Sequence, residues 1–73
     1  MLMISDLVRI AAAGGGLRIN CQNKMVSDLV RIAAAGSDKR SIIILEHTEN
    51  LMVSDRVRIA TAGNGCVFFN DEV

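Results

Sequence analysis

The sequence predicts a small α/β protein of three helix-strand repeats, with a three-stranded parallel sheet in the order 1-2-3 and the helices on one face, arranged like a short solenoid. Two observations predict this fold. The segment SDLVRIAAAG occurs at residues 5–14 and again at 27–36, and a close copy, SDRVRIATAG, occurs at 54–63. Each copy is followed by a short stretch whose apolar pattern is typical of a strand.

The spacing of the copies divides the chain into units. The glycines that close the copies lie 22 and then 27 residues apart, at Gly14, Gly36 and Gly63. Periods of this length are typical of arrays of small supersecondary units. With 73 residues in all, we expect a single domain, 1–73, made of repeats at 1–24, 25–49 and 50–73.

Each copy carries start and stop signals for a short helix. A serine hydroxyl can cap a first turn, and the following aspartate matches the helix dipole. The predicted N-caps are therefore Ser5, Ser27 and Ser54. Each closing glycine is predicted to be left-handed and to end its helix. At about 100° per residue, the centre of the apolar face falls on an alanine in each copy, namely Ala11, Ala33 and Ala60.

The stretches after the glycines predict the strands. LRINCQ at 17–22 alternates apolar and polar residues, IIIL at 42–45 is apolar throughout, and CVFF at 66–69 is nearly so. Strands separated by helices pair in parallel, and a continuous apolar run is typical of a central strand. These two rules give the order 1-2-3.

One face of this sheet is predicted to lack a cover, although parallel sheets are usually covered on both faces. If Leu17, Ile19 and Cys21 point toward the helices, the open face is polar on strand 1 and apolar on strand 3, where Val67 and Phe69 face outward. On strand 2, either Ile43 and Leu45 or their neighbours face outward. An uncharged edge strand also favours pairing with another chain. We therefore expect a homo-oligomer, in the first instance a dimer, with another protein as the alternative partner. The predicted interface residues are Ile43, Leu45, Val67, Phe68 and Phe69.

Charge and composition exclude several classes of protein. Eight basic and eight acidic residues cancel, so no strong field steers the chain onto nucleic acid or an anionic membrane. No apolar segment approaches the roughly 20 residues of a membrane span, and no signal peptide is recognisable at the N-terminus. We expect a cytoplasmic protein that acts through protein-protein contacts.

The arginines of the copies supply an alternative function. Arg9, Arg31 and Arg58 fall opposite the alanine face, where packed helices would display them as a row that could bind phosphates, free or in nucleic acid. Each follows an aspartate by three residues, at Asp6, Asp28 and Asp55, and pairing along the helix would neutralise the row. Anion or nucleic-acid binding is therefore the alternative to the interaction module.

Catalytic, metal and cofactor chemistry are not predicted. The run Gly14–Gly16 closes a helix and precedes a strand, whereas phosphate-binding glycines follow a strand and open a helix. The predicted strand-to-helix loops contain Cys21, Glu46 and His47, but these have no spacing diagnostic of a nucleophile-base pair or a metal site. We expect a protein that is not an enzyme.

Overall fold

Helices and strands alternate along the chain as predicted. The computed structural model describes residues 2–70. Within them, three helices, α1 (Ile4–Ala12), α2 (Val26–Ser37) and α3 (Val53–Gly63), alternate with three strands, β1 (Leu17–Asn20), β2 (Ile43–Glu46) and β3 (Val67–Phe69). The strands form one parallel sheet in the order β1-β2-β3. The α/β class, the parallel pairing and the strand order are therefore confirmed.

The helices cover one side of the sheet. Successive side chains of a strand point to opposite faces. Alternate strand positions join all three helices in one core, whose largest members are Leu7, Ile19, Leu29, Ile32, Ile43, Leu45 and Ile59. The remaining strand positions, such as Arg18 and Phe68, are exposed on the other side. None of the helices within residues 2–70 is long and apolar enough to cross a membrane.

The N-caps of the helices lie two residues before the predicted ones. The N-cap residues are Met3, Met25 and Met52. In α1 the Met3 N–H donates to Asp6 Oδ2 at 3.0 Å, and in α3 the Met52 N–H donates to Asp55 Oδ2 at 3.3 Å. The prediction of Ser5, Ser27 and Ser54 as N-caps is therefore wrong. The aspartate is what identifies the start of these helices, since its carboxylate at the third helical position reaches back to the cap amide.

The closing glycines differ among the copies. Gly14 is left-handed, with φ 100°, and follows α1 as predicted, but Gly36 lies inside α2 and Gly63 is the last residue of α3. The non-glycine residues that take the left-handed conformation after these two helices are Arg40, with φ 54°, and Asn64, with φ 52°. The prediction of a left-handed glycine cap is therefore correct only for α1.

Close packing explains the two glycines that remain helical. A Cβ on Gly36 would lie 3.1 Å from Ile43 Cδ1, and a Cβ on Gly63 would overlap Val67 Cγ2. Both glycines lie where a helix meets the strand that follows it. Because these two glycines have no side chain, each helix can pack close to the strand that follows it. Neither glycine is needed for a turn.

Equivalent residues of the copies are buried to different extents because the helices occupy different places. α2 contacts both α1 and α3. Ala11 and Ala33 are buried as predicted, whereas Ala60 is exposed. Ala60 lies on the side of α3 away from α2, where the described part of the chain places no further helix. Its predicted burial is wrong because α3 is the last helix of the array.

Candidate interaction surfaces

The uncovered face of the sheet carries an apolar stripe, formed by Ile42, Ile44 and Phe68 and called here the open-face stripe. Ile44 is paired in register with Phe68 on β3 and with Arg18 on β1. Ile42 exposes 56% of its surface and Phe68 exposes 52%. The three stripe residues, with Phe69 and Asn70, line a shallow depression of about 390 Å³. The stripe is therefore a continuous apolar surface across two strands.

Polar groups flank the stripe and neutralise one another. Arg18 Nε lies 3.3 Å from Glu46 Oε2, and Asn70 Nδ2 donates to the same oxygen at 3.2 Å. These contacts link all three strands. An exposed ion pair of this kind contributes about 1 kcal/mol or less to stability. Its larger effect is that the open face has no excess charge to repel a second copy or to attract a charged partner.

The interface residues predicted from the sequence fall mostly on the other side of the sheet. Ile43 and Leu45 are each only 1% exposed, beneath the helices. Val67 and Phe69 pair in register with them and are half-buried on the same side. Of the predicted set, Phe68 alone points to the open face, and Phe69 packs against the core while bordering the depression at the edge of that face. The expectation that Val67 and Phe69 face outward is therefore wrong.

The uniform composition of β2 explains this difference. Ile42–Leu45 is apolar at every position, so alternation cannot indicate which residues face the helices. The pairing of Ile19 with Leu45 shows which residues of β2 face the helices, because Ile19 points into the core as predicted. The sequence left open whether Ile43 and Leu45 or their neighbours face outward, and the structure places the neighbours, Ile42 and Ile44, on the open face. If the register between β1 and β2 had been known, the inward direction of Ile19 would have identified Ile42 and Ile44 as the outward-facing residues.

The arginine row is exposed as predicted, but it is only partly neutralised. Arg9, Arg31 and Arg58 are all exposed. Arg31 Nη1 lies 3.6 Å from Asp28 Oδ1, and this is the one Asp-Arg pair at three-residue spacing within residues 2–70. In the other two helices the aspartate accepts a hydrogen bond from the cap amide instead. The expectation of the same neutralising pair in every copy is therefore not met.

The candidate loop residues are in unlike environments. Cys21 is buried, and burial raises the pKa of its thiol more than nearby Lys24 lowers it, which disfavours the reactive thiolate. Glu46 is engaged by Arg18 and Asn70 on the open face. His47 is exposed, with φ 57°. No group of three or more histidine, cysteine, aspartate or glutamate residues that could hold a metal ion occurs in the described part of the chain.

The glycine run after α1 uses its amides to end the helix. The Gly14 N–H donates to the Ala11 carbonyl at 3.0 Å, and the Gly15 N–H donates to the Ile10 carbonyl at 2.9 Å. A phosphate-binding loop needs amides that point to the ligand. Because the first two amides of Gly14–Gly16 are already engaged by α1, the run does not form such a loop.

Each helix has two flanks, which we name by their small residues. The alanine flank holds Leu7 and Ala11 in α1, Leu29 and Ala33 in α2, and Arg56 and Ala60 in α3. The glycine flank holds Ile10 in α1, Ile32 and Gly36 in α2, and Ile59 and Gly63 in α3. A Cβ on Gly36 would lie 3.5 Å from Ala11 Cβ, and one on Gly63 would lie 3.6 Å from Ala33 Cβ. The alanine flank of α1 therefore packs against the glycine flank of α2, and the alanine flank of α2 packs against the glycine flank of α3.

Two flanks at the ends of the array are left uncovered. The glycine flank of α1 borders a shallow depression of about 400 Å³, lined by Leu2, Asp6, Arg9, Ile10 and Ala13. The alanine flank of α3 leaves Val53 77% exposed and Val57 58% exposed. The flank of α3 is therefore an exposed apolar surface, whereas the depression beside α1 has both apolar and charged residues in its lining.

No protein-family model, no curated protein sequence and no solved structure matches this chain.

Proposed function

We propose that the protein is a non-enzymatic, solenoid-like repeat module that self-assembles into a homodimer through the open face of its sheet. The single observation that carries the proposal is the open-face stripe on a parallel sheet that has no second layer among residues 2–70. A sheet of this kind is almost always covered on both faces. A second copy supplies a cover of matching size and matching neutral charge.

The open face is self-complementary in one particular arrangement. A two-fold axis that runs along the strands, midway between two facing sheets, places β1 of one copy over β3 of the other. Arg18 then lies over Phe68 of the second copy, which allows a cation-π contact. Ile44 lies on the central strand and faces Ile44 of the second copy. Such an interface is isologous, the type found in closed dimers.

The size of the face sets the expected affinity. Three strands about 4.8 Å apart, with four residues of about 3.3 Å each, make a face of roughly 200 Å² in projection. Stable dimers usually bury about 800 Å² per subunit. The flanking side chains of Arg18, Glu46 and Asn70 add area, but the total stays small. We therefore expect a dissociation constant in roughly the micromolar range or weaker.

The test is light scattering of the wild type and of two lysine variants over a concentration series. The wild type should approach a dimer at high concentration, and Phe68→Lys should stay monomeric because it places a charge on the open-face stripe. Val57→Lys is the matched control, since Val57 is also an exposed apolar residue but lies on α3. A wild type that is monomeric throughout, or a Val57→Lys variant that loses the dimer as Phe68→Lys does, would contradict the proposal.

We also propose that the protein acts in the cytoplasm. Cys21 and Cys66 are both buried free thiols. Disulfides are the usual staples of small secreted domains, and reducing compartments keep thiols free. Thiol counting on protein purified from its native compartment tests this, and a disulfide between the two cysteines would contradict it.

A second candidate function is anion or nucleic-acid binding by the arginine row. It is favoured by the exposure of Arg9 and Arg58 and by the engagement of their neighbouring aspartates with cap amides. Titration with a generic oligonucleotide at two salt concentrations is the test. Binding that weakens with salt and is lost on replacing all three row arginines with glutamine supports this function. A lack of binding at low salt excludes it.

A further inference from the structure

The last helix exposes a surface that the middle helix buries. Val53 is 77% exposed, Val57 is 58% exposed, and Ala60 is exposed beside them. These three residues, called here the free flank, are spaced by four and then three positions and so lie on one side of α3. The equivalent valines of α2 are half-buried and Ala33 is 1% exposed, because α3 packs there. The free flank therefore has the composition of a surface that receives a helix elsewhere in the same molecule.

Arg56 lies next to the free flank but does not cover it. Its Nη2 donates to the Thr48 carbonyl at 2.7 Å, and its guanidinium carbon lies 5.8 Å from the centre of the Phe69 ring. The side chain thus extends toward its own loop and the last strand, and it leaves Val53 and Val57 exposed. We expect a helix to reach the free flank while Arg56 keeps both contacts.

The internal contacts show which kind of helix an alanine flank accepts. Each docked helix presents a fully buried isoleucine and, four residues later, a glycine, at Ile32 and Gly36 in α2 and at Ile59 and Gly63 in α3. Residues four apart lie on the same face of a helix. The glycine is the residue that meets the alanine of the preceding helix, where a longer side chain would hold the two backbones apart. The fitting partner for such a flank is therefore a helix with isoleucine four residues before glycine.

A second copy of the chain does not offer that helix. Its α1 contains the same pair in sequence, Ile10 and Gly14, but α1 ends at Ala12 and Gly14 is left-handed, with φ 100°. The glycine flanks of its α2 and α3 are already packed within that copy. These observations favour a helix from a different protein as the occupant.

We propose that the free flank is a docking site for one amphipathic helix of a partner protein, with isoleucine four residues before glycine on its apolar face. The glycine of the partner lies against Ala60, as Gly63 lies against Ala33, and the rest of that face covers Val53 and Val57. Laying the apolar face of a helix on a hydrophobic surface is a common mode of peptide recognition. The site is on α3 and is separate from the open face, so each copy of a dimer holds one partner helix.

The test uses a helix of the chain itself as the probe. A fluorescein-labelled peptide with the sequence of residues 25–37, MVSDLVRIAAAGS, carries the required pair, and fluorescence anisotropy follows its binding to the full chain. A short peptide is only marginally helical in water, so a lactam-bridged version that is helical by circular dichroism is titrated as well. Both should bind saturably, the bridged peptide more tightly. Gly36→Leu in the peptide improves helix propensity, yet it should weaken binding about tenfold or more because the new side chain meets Ala60.

Two protein variants locate the bound probe. Ala60→Lys should weaken binding about tenfold or more because it places a charge at the centre of the free flank, and since Ala60 is exposed it should not disturb folding. Ala12→Lys is the matched control, because Ala12 is an exposed alanine on α1, and it should bind as the wild type does. The proposal is overturned if the bridged peptide does not bind saturably, or if binding is unchanged by Ala60→Lys or by Gly36→Leu in the peptide. Binding that is lost with Phe68→Lys instead would place the peptide on the open face and also overturn it.

Discussion

Ser41 Oγ donates a 2.6 Å hydrogen bond to the carbonyl of Ala11, a residue thirty positions earlier in the chain. Ser41 is only 2% exposed and lies just before β2. The bond joins the end of α1 to the segment that leads from α2 into the central strand. It is therefore a contact between the segments that carry the first two sequence copies, and neither segment could make it alone.

Replacing this serine should weaken the fold. Ser41→Ala removes a buried hydrogen bond, and we expect the free energy of unfolding to fall by about 1–2 kcal/mol in urea titrations followed by circular dichroism. Ser37→Ala is the matched control, because its hydroxyl donates to the Ala34 carbonyl within α2 and is exposed. The control should change stability by less than about 0.5 kcal/mol. Equal losses for the two variants would show that Ser41 is not a specific link.

A methyl group at the end of α3 should also destabilise the protein. Alanine is normally favoured over glycine in a helix by about 1 kcal/mol. In Gly63→Ala, however, the added Cβ would overlap Val67 Cγ2, and we expect a net loss of about 1–3 kcal/mol in thermal or urea unfolding. Asn64→Gly, at the next residue, which is left-handed with φ 52°, should not lose stability. A more stable Gly63→Ala protein would contradict the close packing of α3 on β3.

The thiol of Cys21 should be unreactive in the native protein. Burial raises the pKa of this thiol, so the folded protein keeps it protonated at a pH where the unfolded chain has begun to ionise. The unfolded chain therefore releases the Cys21 proton at a lower pH than the folded protein does. The contribution of the Cys21 thiol to stability is full at neutral pH and is lost as the pH rises through the pKa of this thiol in the folded state.

Alkylation kinetics measure this effect directly. From about pH 7 to about pH 10, iodoacetamide should modify Cys21 much more slowly in native than in urea-unfolded protein. In a Cys66→Ser variant Cys21 is the one remaining cysteine, so the measured alkylation rate is that of Cys21. Native and unfolded rates that agree at pH 8 would show that Cys21 is accessible and ionised more readily than its burial implies.

Local signals in the sequence were sufficient for the fold class and strand order. Repeat spacing and the glycine after α1 mark the units, and the alternation around Ile19 orients β1 correctly. The helix starts differ from the prediction because each N-cap is a methionine, which carries no capping signal in the sequence. Only the folded geometry shows that the carboxylates of Asp6 and Asp55 reach the cap amides.

The candidate site was harder to predict, because it depends on position in the array rather than on local pattern. The IIIL segment has no alternation, so the faces of Ile43 and Ile44 could be assigned only from the register with β1. Near-identical helices bury different residues because only α2 has a neighbour on both flanks.

The most direct test of the account is crosslinking at the centre of the open face. In the proposed dimer, Ile44 faces Ile44 of the second copy across two sheets about 10 Å apart. Ile44→Cys treated with a bismaleimide of similar span should therefore give a covalent dimer in high yield. The native cysteines, each 5% exposed, should react little. Val57→Cys, exposed on α3, serves as the control and should give none.

The result predicted is a covalent dimer from Ile44→Cys alone, with a yield that falls on dilution as the dimer dissociates. Absence of that dimer at concentrations where light scattering shows self-association, or equal yields from Ile44→Cys and Val57→Cys, would contradict the claim that a second copy covers the open face.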